Sequence, residues 1–237
     1  MDISTGLGQY YVQAKGNRWF RIFTVFCRVA LAAGFLPAGG VKIMGERFTD
    51  LSVNHPMGHY LEALSLTGYY YTFIGVAQVL AGLLLLLPRT ATLGALLYLP
   101  VIVNITILSL AVRFDGSLFT APFMVMANLY LLCWDWDKLR LIVAWYDATS
   151  TTLVPKPAVL SWKFPFGFAG GVLATIVIYV LLITHVYTLM PHNNLRDCKT
   201  QCGSAKNPKA CNVFCECIHT RGQPLDKSLD AYERAAK

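Results

Sequence analysis

Charge is what this chain has least of. Lys, Arg, Asp and Glu make up 14% of its 237 residues and hydrophobic residues 55%, a balance that soluble domains do not show. The sequence has no Rossmann glycines, no haem-type Cys-x-x-Cys-His, no P-loop and no nucleophile elbow. An enzyme built on this chain would therefore borrow its cofactor from a partner or from dissolved quinone; no bound cofactor is expected. No small-x-small cleavage site follows the first apolar segment, which is also too long for a signal h-region, so it is read as an uncleaved first span. Internal repeats and low-complexity tracts are absent too. Before residue 190 the only cysteines are Cys27 and Cys133.

What the chain does have is apolar length. A bilayer-spanning helix needs about 20 mostly apolar residues. Five segments meet that requirement: Phe20–Met44, Tyr70–Leu87, Thr92–Val112, Leu118–Trp134 and Phe166–Met190. The net charge of +7 is not a nucleic-acid footprint, because most of the basic residues sit beside helix ends. Placing the N-terminus in the cytoplasm puts Lys15, Arg18, Arg21, Arg89, Lys138, Arg140, Lys156 and Lys163 inside, and leaves Lys42, Arg47 and Arg113 in the short outer loops. The basic cluster Arg196, Lys199, Lys206 and Lys209 at the outer end of the fifth span opposes this orientation. An odd number of spans then places the C-terminal tail outside, where thiols oxidise.

The pattern divides into a cytoplasmic N-terminal segment (1–19), a four-helix membrane bundle (20–137), an amphipathic cytoplasmic linker (138–164), a fifth membrane helix (165–190) and an exported cysteine-rich tail (191–237). Tight turns at Pro88-Arg89-Thr90 and Arg113–Ser117 make the joined spans antiparallel neighbours. Met57–Leu66 reads as a short interfacial helix, and Leu139–Tyr146 as an amphipathic one at the cytoplasmic face.

Polar residues inside the spans are the first candidates for chemistry, since lipid offers them no partner. Arg28, Gln78, Asn104 and Asn128 fall in four different spans. They either line a pocket for a quinone head group, a small substrate or a proton path, or they glue helices together while Arg28 snorkels. Gln78-x3-Gly82 favours packing. His185 is an interfacial histidine at the end of the fifth span. His55, His59 and Glu62 could share a helical face and hold a metal, but Pro56 lies between the histidines.

The tail carries the most specific pattern: Cys198-x3-Cys202-x8-Cys211-x3-Cys215-x-Cys217. On helices, Cys198/Cys202 and Cys211/Cys215 each form a vertical pair. Gly203–Pro208 between them is a turn by composition. Two short helices folded back on that turn bring the pairs together, with Cys198–Cys215 and Cys202–Cys211 as bridges that supply what a small core cannot. Cys217 is then left as a free or intermolecular thiol. Two alternatives stay open: a metal or iron–sulfur site on Cys211, Cys215, Cys217 and His219, which lacks the usual Cys-x2-Cys spacing, and a redox-active thiol at Cys215 or Cys217. The hairpin leads, and no metal is expected.

Arg28 with Gly34, the Gly39-Gly40-x-Lys42 end of the first span, a broad outer loop, and Gly75-x2-Gln78-x3-Gly82 leading to Pro88-Arg89 make the stretch from Phe20 to about Asp137 resemble the DoxX-like family of small four-helix membrane proteins. Where that family often has an acidic residue this chain has Gln78, so no proton-handling role is carried to the position. The fifth span and tail lie outside the resemblance. It implies a redox neighbourhood, because such proteins serve as quinone-linked subunits of thiosulfate oxidation or as partners of thiol and oxidative-stress enzymes.

The sequence thus reads as an all-α membrane protein, a four-helix transmembrane bundle with a fifth transmembrane helix and a small disulfide-stapled helical hairpin tail. The expected role is an accessory subunit of a redox-linked complex in the bacterial inner membrane, contacting lipid and other membrane or periplasmic redox subunits but no nucleic acid. The alternatives are a quinone-linked oxidoreductase of thiosulfate or thiol type, and a small-molecule carrier.

Overall fold

A computed structural model describes residues 6–49, 51, 56–112, 114–143, 160–186, 195–223 and 225–236. Among them there is no strand; the nearest thing is one isolated bridge between Asn17 and Ser161. The helices are α1 (Gly6–Lys15), α2 (Arg18–Ile43), α3 (Pro56–Ser65), α4 (Tyr69–Leu86), α5 (Ala91–Ala111), α6 (Asp115–Leu118), α7 (Thr120–Trp134), α8 (Trp136–Val143), α9 (Phe166–Leu181), α10 (Leu195–Gln201), α11 (Pro208–His219) and α12 (Leu225–Ala236). Five stretches are long and apolar enough to cross a membrane: α2, α4, α5, Gly116–Trp134, and α9 with the π-turn Leu182–Val186 that extends it. The chain is an all-α, multi-pass membrane protein.

Helix is the only local solution for these segments, because a lipid-facing backbone must satisfy its own N–H and C=O groups. Pro37 in α2 and Pro100 in α5 each remove one such donor without ending the helix, which membrane helices tolerate. A helix forms at Met57–Leu66 as α3, and α8 covers the described part of Leu139–Tyr146, whose residues 144–146 lie outside the described ones; α1 and α12 arise where the sequence reading places no helix.

The chain divides into two compact units. The first comprises Met1–Leu36, Leu80–Ile102 and Pro122–Tyr187. Its core is closed by side chains of unequal size. The Phe35 and Tyr98 rings stack with centroids 3.5 Å apart, and the Tyr98 hydroxyl donates to the Leu31 carbonyl at 3.3 Å. Gly34 makes room for the end of Met124, and Gly82 leaves space for Leu36. Within this unit α9 lies against α2 and α7 along one aromatic edge, Phe168 meeting Phe20, Phe23 and Tyr130, and Tyr179 meeting Phe123.

The second unit comprises Pro37–Val79, Val103–Ala121 and Thr188–Lys237. Here α2 and α4 cross backbone to backbone. A Cβ on Gly39 would lie 2.6 Å from the Gly75 carbonyl oxygen, and one on Gly75 would lie 2.7 Å from that of Gly39. Only glycine permits this approach. The Tyr71 hydroxyl donates to the Glu46 carbonyl and accepts from the Phe48 N–H, pinning the chain that leaves α2. Ser109 donates to the Ile105 carbonyl at 2.7 Å, so at 2.5 Å it is Ser117 that donates to Ser109.

Candidate functional site

Two places concentrate chemistry. In the first unit, Asp135 sits at the break between α7 and α8 with 5% of its surface exposed. Its Oδ2 accepts from the Thr92 hydroxyl at the start of α5 (2.7 Å). It also meets Lys138 Nζ from α8 at 3.1 Å and Arg28 from the middle of α2 at 3.7 Å. One carboxylate therefore ties together three segments distant in sequence. A second layer lies beside it: Lys15 pairs with Asp137 at 3.6 Å and lies over the Trp134 ring, and the Tyr11 hydroxyl donates to the Trp134 carbonyl. Burial pulls the Lys15 ammonium below its usual range, with Asp137 opposing, and holds the Tyr11 phenol well above its own.

Arg28 is thus an ion-paired residue, with Nε left without a hydrogen-bond partner among the described residues. Asn128, in the same unit, is fully buried; its Nδ2 donates to the Ala95 carbonyl at 3.0 Å and its Oδ1 has no partner among the described residues. In the second unit Gln78 is buried with Oε1 likewise unpartnered among the described residues, whereas Asn104 is exposed. Lys42, also there, is 7% exposed, donates to the Ala38 carbonyl at 2.9 Å and lies 4.4 Å from the Phe48 ring centroid. Asp135 escapes the sequence reading because locally it is only an acidic residue capping a span. Its proximity to Arg28 appears when α2 and α7 pack.

His55 lies outside the described residues. Glu62 pairs with Arg47 at 3.2 Å, an ion pair rather than a free metal ligand. His185 is exposed on the π-turn.

The second place is the tail. Cys198 is bonded to Cys215 and Cys202 to Cys211, joining α10 and the 3₁₀ turn Cys202–Ser204 to α11. The return is built by Asn207, whose side chain accepts from the Ala210 N–H at 3.2 Å, followed by Pro208 at the first helical position. The bridges stack, Cys202 Sγ lying 3.5 Å from Cys215 Sγ. Lys199 and Glu216 add an ion pair at 2.9 Å across the exposed side, and the Lys199 ammonium holds the Glu216 carboxyl below its usual range. Gly222 takes a φ of +62° after α11, a conformation glycine adopts without strain, and turns the chain back so that α12 packs on α11.

Cys217 is a free thiol and is 5% exposed. Two residues after Cys215, it stands about 200° round the helix from the bridged face, and it is enclosed within the chain. That rotation separates it from the sulfurs the structure does gather. The Sγ atoms of Cys202, Cys211 and Cys215 lie within 4.8 Å of one another, but they are held as two disulfides, not as thiolates that could ligate a metal.

No protein-family profile matches the chain, and no solved structure does. Over 113 residues it is 33% identical to the uncharacterized protein YwoB of Bacillus subtilis (strain 168), covering 45% of this chain and 72% of that protein. The chain belongs to the family of YwoB. More than half of its residues lie outside the alignment, and the relative's name attaches no activity to the part that is shared.

Proposed function

We propose that this protein is an accessory subunit of a redox-linked membrane assembly. Its compact helical core anchors it, and its fifth helix and stapled tail engage a partner. The observation that carries this reading is the exposure of α9. In its most apolar stretch 6% of residues are buried, against 28% to 39% in the other four spans, although it is the most hydrophobic of them. Among the described residues it contacts α2 and α7 along one edge, and most of its surface is exposed, open to lipid or another helix. The tail that follows has its own covalent closure and keeps apolar side chains outside, Val213, Leu225 and Leu229 among them, as a docking module would.

The polar residues of the spans fit this role. Asp135 is engaged by Arg28, Lys138 and Thr92, and Asn128 by Ala95, so each holds helices together. Disulfides belong to an oxidising compartment, which supports an outer location for the tail and a cytoplasmic N-terminus in a bacterial inner membrane. The DoxX-like resemblance of residues 20–137 supports the redox setting. A quinone-linked oxidoreductase is the second reading, favoured by one observation: in the first unit Arg28 Nε and Asn128 Oδ1 are buried without partners among the described residues.

Isolation from native membranes in mild detergent separates the two. The subunit reading expects a membrane-bound or exported redox protein at fixed stoichiometry. That partner should be lost when the exposed face of α9 is reshaped by Val177→Phe with Leu181→Trp, or when the tail bridges are removed. A chain that purifies alone and turns over a quinone by itself would overturn it.

A further inference from the structure

The start of α2 and the stretch leading into α9 are joined by a hydrogen-bonded clasp. Ser161 N–H donates to the Gly16 carbonyl (2.8 Å) and Arg18 N–H to the Ser161 carbonyl (3.0 Å). Asn17 Nδ2 donates to the Lys163 carbonyl (2.8 Å) and Trp19 Nε1 to the Trp162 carbonyl (3.2 Å). Below the clasp the two helices leave an open groove of about 290 Å³, lined by Trp19, Phe20, Phe23, Phe168, Ala169 and Leu173 among others. Its lining carries no charge. The residues flanking that lining are the reverse. Arg18, Arg21 and Lys163, each next in sequence to a lining residue, are exposed; residues 15–23 and 160–168 contain no Asp or Glu. Among the described residues no carboxylate lies within 4.0 Å of any of the three. Arg18 rests on the Trp162 ring at 4.4 Å and Arg21 Nε donates to the Lys15 carbonyl at 3.2 Å, which fixes both without neutralising them.

We propose that this groove is a binding site for one anionic phospholipid, its acyl chain between α2 and α9 and its phosphate among Arg18, Arg21 and Lys163. The volume is close to the lower end of the range of small-ligand pockets, about 300–1,000 Å³. An acyl chain is the slender apolar occupant that a bilayer supplies. The interfacial tryptophans Trp19 and Trp162 mark the depth at which a headgroup lies, and basic residues next to them select a negative one. The site does not depend on the subunit role proposed above.

Native mass spectrometry of the full chain tests it, after exchange into detergent containing equal amounts of phosphatidylglycerol and phosphatidylcholine. The expected result is one retained lipid, predominantly phosphatidylglycerol. Arg21→Gln and Lys163→Gln should each lower the ratio of retained phosphatidylglycerol to phosphatidylcholine by about fivefold while leaving a lipid bound. Ala169→Phe, which fills the groove, should abolish retention. Helicity and elution volume are checked for each variant, and if Ala169→Phe does not fold, the two charge variants decide. Equal retention of both lipids by the parent chain would overturn the proposal, as would selectivity unchanged in both charge variants. So would a lipid-free dimer, which would assign the groove to a second copy.

Discussion

The membrane core and the tail solve the same problem, holding helices together, by opposite means. The core uses close approach and buried polarity. Gly39 and Gly75 let two backbones touch, and Asp135 gathers Arg28, Thr92 and Lys138 around one carboxylate. Lipid provides no hydrophobic drive between helices, so cohesion falls to packing and polar contacts. The tail's helices α10 and α11 are 7 and 12 residues long, too short to span a membrane, and have little surface to bury. Two disulfides replace the missing core. The difference teaches where each part is vulnerable: the core to loss of a charge or gain of a methyl group, the tail to reductant.

The largest effect should come from breaking the carboxylate node. Asp135→Ala leaves the half-buried Arg28 without its counter-ion, at a cost at or below the ~3–5 kcal/mol of a fully buried pair; thermal unfolding in detergent should show it, and Arg28→Leu combined with Asp135→Leu should recover much of the loss. The tail should ignore both changes.

Next comes the converse. Cys198→Ser should destabilise the tail by about 2–4 kcal/mol and leave the unfolding of the core in place. The double variant Cys198→Ser, Cys215→Ser should cost less than either single one, because a lone freed thiol can attack the Cys202–Cys211 bridge. Partial proteolysis of the tail reads both.

Gly39→Val sharpens the comparison from the core side. Its Cβ would meet the Gly75 carbonyl, so overpacking should cost about 1–3 kcal/mol, where a matching Gly203→Val in the tail, whose Cβ meets nothing within 4 Å, should leave the bridges formed.

The smallest effect is electrostatic. The Glu216 carboxyl is held below its usual range by Lys199. Its contribution is therefore present above the unfolded carboxyl pKa and is lost as pH falls through the lower folded value. Because the pair is exposed, Glu216→Gln should leave tail stability at neutral pH unchanged within error, and should remove only a slight acid-side slope.

Much of this was legible from residue order. Span ends set by hydropathy alone fall close to those of the helices: Phe20–Met44 became α2, Arg18–Ile43, and Tyr70–Leu87 became α4, Tyr69–Leu86. The stapled hairpin was legible because the i, i+4 spacing of cysteines and a Gly-to-Pro turn are local signals. What escaped is tertiary. Asp135 gains its role from Arg28, more than 100 residues earlier. Cys217 is enclosed in a module to which α12 adds a helix, and α12 does carry a weak signal in Leu225, Ser228, Leu229 and Tyr232 at helical spacing. The clasp between Asn17 and Ser161 had none.

The most direct test of the account is the oxidation state of the tail in the chain isolated from cells. Cells are quenched in acid, the protein is denatured and alkylated without reductant, and its intact mass is measured. The account predicts three alkyl groups, on Cys27, Cys133 and Cys217, rising to seven after reduction. Seven before reduction would mean that the tail is not stapled where the protein works, and would contradict both its outer location and its role as a rigid docking module.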